Sequence, residues 1–115
     1  MLNTTNPFGN KKLALIKDGI VKDIVLVDPN DTTIAATLIE LQQVDIAVEV
    51  DDNDYQAKPG GSYIDGVFYD IKEHPSWIRN DEHRNWEAPI PYPTDGKRYI
   101  WNEDMLNWEE RIPLL

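Results

Sequence analysis

Hydrophobic and polar positions change period several times along this chain, and each change marks an element. Residues 13–27, "LALIKDGIVKDIVLV", set two aliphatic and β-branched runs around Asp18-Gly19. Asp-Gly supplies the positive φ angles of a tight hairpin turn, so the pattern predicts antiparallel strands at 13–17 and 20–27. Pro29 interrupts the second run, and the period lengthens. Ile34, Leu38 and Leu41 fall at i, i+4 and i+7, widened by Ala35 and Ile39, which predicts a short amphipathic helix lying on the hairpin. Asn30 or Asp31 is the expected N-cap, since either side chain can accept a bond from a terminal backbone N–H. Residues 44–50, "VDIAVEV", then alternate, with Val44, Ile46, Val48 and Val50 on one face and Asp45 and Glu49 on the other, the pattern of a half-buried strand.

Residues 51–61 are rich in Asp, Asn, Gly and Pro and read as a loop. A second Asp-Gly pair, Asp65-Gly66, predicts a hairpin over 62–71 with Tyr63, Phe68 and Tyr69 as its aromatic content. The expected fold class is α+β, mostly β: a β-β-α-β body followed by short antiparallel β-hairpins. Three regions are expected: an N-terminal arm at 1–12, a body with its Asp-Gly hairpin at 13–72, and a Trp-rich module with a C-terminal tail at 73–115.

That last region is a duplication. "SWIRNDEHRNWE" (76–87) matches "RYIWNEDMLNWE" (98–109) at a spacing of 22 residues, with "APIPYPTDGK" between them. Each copy reads as a hairpin with Asn and acids at its tip, because an Asn side chain can bond nearby backbone and tolerates the left-handed conformation. Trp77 or Tyr99 is then expected across the strand pair from Trp86 or Trp108, an arrangement worth roughly 0.2–1 kcal/mol per aromatic pair. An isolated hairpin is marginal in water, so the two must pack on each other, on the body or on another chain. The aromatic residues Trp77, Trp86, Tyr92, Tyr99, Trp101 and Trp108 are the candidate interaction residues. Their indoles either form a miniature core or present a stacking platform for sugars or quaternary ammonium groups.

Composition narrows the function classes. The net charge of −10 disfavours binding to nucleic acid, which relies on Lys and Arg neutralising phosphates, and docking on an anionic membrane. No Cys is present, so a disulfide framework and a thiolate zinc site are both excluded. No apolar run approaches the ~20 residues of a membrane span, and residues 1–12 lack the apolar stretch of a signal peptide. The cluster Asp51, Asp52 and Asp54 fails the calcium-loop pattern, because Gln56 stands where that loop needs Gly. His74 and His83 share no metal-ligand spacing. Neither a phosphate loop nor a nucleophile elbow occurs, and the adjacent acids at the hairpin tips read as solvated turn charges. The expectation is a non-enzymatic protein without metal or cofactor. Leu2, Phe8, Leu114 and Leu115 are candidate arm contacts on neighbouring molecules.

Three stretches carry a resemblance. "ALIKDGIVKDIVLVDPND", "PGGSYIDGVFYDIKEHPSW" and "NWEAPIPYPTDGKRYIWNEDMLNWEE" resemble a family of small proteins of tailed bacteriophages, especially those of marine bacteria and cyanobacteria. The matching positions are Gly60 to Phe68, Pro75-Ser76-Trp77, Trp86-Glu87-Ala88-Pro89, Pro93-Thr94-Asp95-Gly96, Tyr99, Trp101 and Trp108. The resemblance spans about residues 13–110, and its first part is similar to N-terminal segments of tail-fibre and tail-fibre-assembly-like proteins. The 51–61 loop is shorter than in those relatives, which puts any function seated in the insertion in doubt. The resemblance implies a virion structural protein (a minor decoration, neck, tail or fibre-associated subunit) made in the host cytoplasm. Its expected partners are other phage structural proteins and further copies of itself, with neither nucleic acid nor membrane. A tail-fibre assembly chaperone and a carbohydrate-binding module at the host surface are the alternatives. No catalytic or ligand residue carries over.

Overall fold

A computed structural model describes residues 11–112. Its described residues form nine strands and one helix, and the chain divides into two compact units after Ile71. The fold is α+β and mostly β.

The first unit holds β1 (Lys11–Lys17), β2 (Ile20–Val27), α1 (Ile34–Gln42), β3 (Ile46–Glu49), β4 (Gly61–Ile64) and β5 (Val67–Ile71). The strands make one sheet in the order β3-β1-β2-β4-β5, and each neighbouring pair is antiparallel. Both Asp-Gly pairs turn as their chemistry requires. Asp18 and Gly19 have φ of 52° and 76°, and Asp65 and Gly66 have 51° and 81°, the twin positive angles of a type I′ hairpin. β1 starts at Lys11, two residues inside the stretch expected to be an arm, because Lys11 and Lys12 pair with Val27 and Leu26 of the longer β2.

β1 lies between β2 and β3 and is buried on both faces through Leu13, Ala14, Leu15 and Ile16. Ala14 and Ile16 face a cluster with Val21, Val50 and Phe68, closed by Ala57 from the 51–61 loop. α1 lies against β1 and β3. Its half-buried residues are Ile34, Ala35, Leu38 and Ile39, so the buried stripe is centred nearer Ala35 than expected. Leu41 is 71% exposed: it sits about 90° round the helix from that centre. The cap also differs. Thr33 holds the N-cap position, and Asp31 Oδ1 accepts bonds from the Thr33 N–H and hydroxyl. Asp31 is itself held in a turn by its N–H to Asp28 O, which leaves it upstream of the helix.

β3 is shorter than its alternating pattern. Val44 and Val50 are buried beyond its ends, and Ile46 is 42% exposed on this edge strand. At Gly61 a Cβ would lie 2.8 Å from Tyr69 O and 3.1 Å from Lys58 O, so backbone crowding there requires glycine.

Candidate functional site

The second unit is the duplicated module: β6 (Ile78–Asn80) with β7 (Asn85–Glu87), and β8 (Tyr99–Asn102) with β9 (Asn107–Glu110). Each hairpin closes over a four-residue tip, and the repeat spells out how. Asn80 Oδ1 accepts the His83 N–H at 2.9 Å while Asn80 Nδ2 donates to Glu87 at 2.6 Å. Asn102 Oδ1 accepts the Met105 N–H at 3.0 Å and Asn102 Nδ2 donates to Glu109 at 3.0 Å. The last tip residue takes a left-handed conformation in both copies, φ 53° at Arg84 and 51° at Leu106. The octet is therefore a turn code: its first Asn clamps the tip, and its final Glu holds that Asn.

The register corrects one expectation. A four-residue tip between Asn102 and Asn107 places Trp101 opposite Trp108 and Tyr99 opposite Glu110. In the first copy Arg79 faces Trp86, and Trp77 lies before the paired segment. A second parallel accompanies this register. Position 79/101 bonds position 81/103 in both copies: the Arg79 guanidinium meets Asp81 at 2.7 Å, and the Trp101 Nε1–H donates to Glu103 at 2.7 Å.

Trp77 packs on the other copy. Its ring lies 6.2 Å from Trp101 and 6.3 Å from Trp108, and those two meet edge-on at 5.3 Å. His74 tilts over Trp77 at 4.9 Å. Tyr92, from the proline-rich connector, reaches Trp108 at 5.0 Å and Tyr99 at 5.9 Å. Such tilted and edge-on arrangements suit the ring quadrupoles. The Trp108 Nε1–H donates to Ile90 O at 2.7 Å, and the Tyr99 N–H donates to the Tyr92 hydroxyl at 2.9 Å. Trp101 is only 6% exposed. Trp77 Nε1 is buried without an acceptor among the described residues. Trp86 carries Lys72 Nζ 4.7 Å from its ring centroid.

Glu103 ties the copies together. It accepts the Ser76 N–H at 2.8 Å and the Ser76 hydroxyl at 2.7 Å in addition to the Trp101 indole. The Trp101 bond and then the Ser76 bonds hold its carboxyl below the ordinary value. Asp95 accepts the Tyr99 hydroxyl at 2.6 Å, which lowers the Asp95 carboxyl and pushes the Tyr99 phenol up to about 12. These are acceptor roles.

Glu103, expected with the other tip acids to be a solvated turn charge, is instead half-buried and bonded to Ser76 and Trp101, and the bonding roles of Ser76 and Asp95 escaped the sequence reading. The available signal was the mismatch between copies, where Asp81 and Glu103 stand beside different neighbours. The other candidates are placed as turn chemistry. Asp51 and Asp54 accept the N–H groups of Asn53 and Gln56, and Asp52 meets Lys12 at 3.5 Å. Among the described residues no group of three or more His, Asp or Glu could hold a metal ion, and no helix is long and apolar enough to cross a membrane. The arm contacts Leu2, Phe8, Leu114 and Leu115 lie outside the described residues. No family model, curated protein or solved structure matches the chain.

Proposed function

We propose that this chain is a non-enzymatic structural protein of a tailed bacteriophage particle, a minor decoration, neck, tail or fibre-associated subunit that acts through protein–protein contacts. The phage context rests on the resemblance over residues 13–110. The observation supporting a contact role is the inward use of the aromatics. Trp77, Trp101 and Trp108 pack on one another, and the indole N–H groups of Trp101 and Trp108 are satisfied internally. A carbohydrate platform needs a flat, open ring face, and this packing works against one.

In this reading the chain is made in the host cytoplasm, joins other phage structural proteins and carries no cofactor. Quantitative mass spectrometry of gradient-purified particles, calibrated against the major capsid protein, tests it. A fixed copy number per particle is the expected result. Abundance in the lysate with absence from particles would overturn it in favour of the assembly chaperone.

A further inference from the structure

The duplication contains its own control, because two tips share one scaffold and differ in what they display. Both tips are four residues long, clamped by an Asn and ended by a left-handed residue. The first tip reads Asp-Glu-His-Arg and the second Glu-Asp-Met-Leu. In the second, Met105 is 62% exposed and Leu106 53% exposed.

Leu106 is costly there on two counts. A non-glycine residue at φ 51° is strained, and Asn or Gly would occupy the position more cheaply. A half-exposed Leu also leaves apolar surface in water that packing on a partner would remove. Met105 beside it is unbranched and adapts to irregular surfaces. The tip does not need this pair for closure, since the Asn102 clamp uses only the Met105 backbone N–H and the Glu109 carboxylate.

The surroundings define what would cover the pair. From Tyr99 to Glu110 the hairpin carries Glu103, Asp104, Glu109 and Glu110 and no Lys or Arg. A second copy with a net charge of −10, or an anionic lipid surface, would be repelled. We infer that the 103–106 tip is a docking knob that seats Met105 and Leu106 in an apolar pocket rimmed by Lys and Arg on a different protein. The inference rests on the assembly role above only in seeking that protein among particle components.

The test places the photo-crosslinking residue p-benzoylphenylalanine at position 105 of the full chain, and separately at position 83, during phage growth. Crosslinked peptides are then sequenced. The expected result is one protein other than this chain, joined through an apolar segment flanked by Lys or Arg, at a yield about tenfold above position 83. Leu106→Asn suits the left-handed position, so it should hold or raise the melting temperature while cutting that yield about tenfold. Crosslinks to another copy of this chain, crosslinks to lipid, equal yields at 105 and 83, or a yield untouched by Leu106→Asn would each overturn the inference. A partner from the host in place of the particle would count against the virion reading and leave the knob standing.

Discussion

The two units solve the problem of a small core in opposite ways. The first buries aliphatic side chains. Leu13, Ala14, Leu15, Ile16 and Val21 are each at most 3% exposed, in a sheet whose strand β1 is covered on both faces. The second contains all four Trp and all four Arg of the chain, yet Trp101 is its one buried hydrophobic residue among those described. It relies on side-chain hydrogen bonds to fix its rings: Glu103 to Trp101 and Ser76, Ile90 O to Trp108, and Asp95 to Tyr99. Apolar burial scales with area and needs no direction. Two hairpins with strands of three and four residues have little area to offer, so directed bonds to ring N–H and O–H groups supply the order that burial cannot.

The strongest way to expose that contrast is to truncate each core. Ile16→Ala should cost the body about 2–5 kcal/mol and Trp101→Ala the module about 3–5 kcal/mol. All four Trp lie beyond residue 71, so tryptophan fluorescence in urea titrations follows the module, while far-UV circular dichroism is weighted to the sheet. Gly61→Ala should come next. Its Cβ would press on the backbone oxygens of Tyr69 and Lys58, and crowding of this kind costs about 1–3 kcal/mol. The same titration by circular dichroism measures it, and a stability equal to wild type would show that the backbone around Gly61, where the β4–β5 register shifts, gives way.

Breaking the tip clamps is a smaller perturbation. Asn80→Ala and Asn102→Ala each remove two side-chain bonds, at about 0.5–1.5 kcal/mol per bond. Amide exchange at His83 and Met105 should accelerate only in the hairpin whose Asn was removed.

The module should also respond to pH at both extremes. Glu103 is held below its ordinary value of 4.5, so its contribution is complete above that value and is lost as pH falls through the lower folded value. Glu103→Gln should flatten this acid limb in tryptophan fluorescence. Tyr99 is shifted the other way, from 10.0 to about 12, so its contribution is present below 10 and lost as pH rises through about 12. Tyr99→Phe should remove that alkaline limb. The smallest change expected is Trp77→Phe. It deletes a buried donor that has no acceptor, which offsets the lost ring area and holds the net change within about 1 kcal/mol.

Much of this architecture was legible along the chain because its causes are local. Asp18-Gly19 and Asp65-Gly66 carry their turn geometry within two residues, and the NxxxxNWE octet carries a whole clamped tip within eight. The strand-strand-helix-strand order followed from the period of the apolar positions. Less local features escaped. The helix cap moved from Asn30 or Asp31 to Thr33 because Asp31 was already engaged in a turn with Asp28. Leu41 fell outside the buried stripe because it sits about 90° round α1 from the residues that face β1 and β3.

The sequence alone determined the hairpins, the helix, the duplication and the acidic surface, because turn chemistry, periodicity and charge act over a few residues. Only the tertiary structure decided that β1 lies inside the sheet, that Trp101 and not Tyr99 faces Trp108, that Trp77 packs on the opposite copy, and that Glu103 joins the two. Side chains alternate across a strand, so the residue that faces a given Trp depends on the number of residues in the turn. Neighbours far apart in sequence are chosen by what each leaves to be buried or bonded once the local elements have formed.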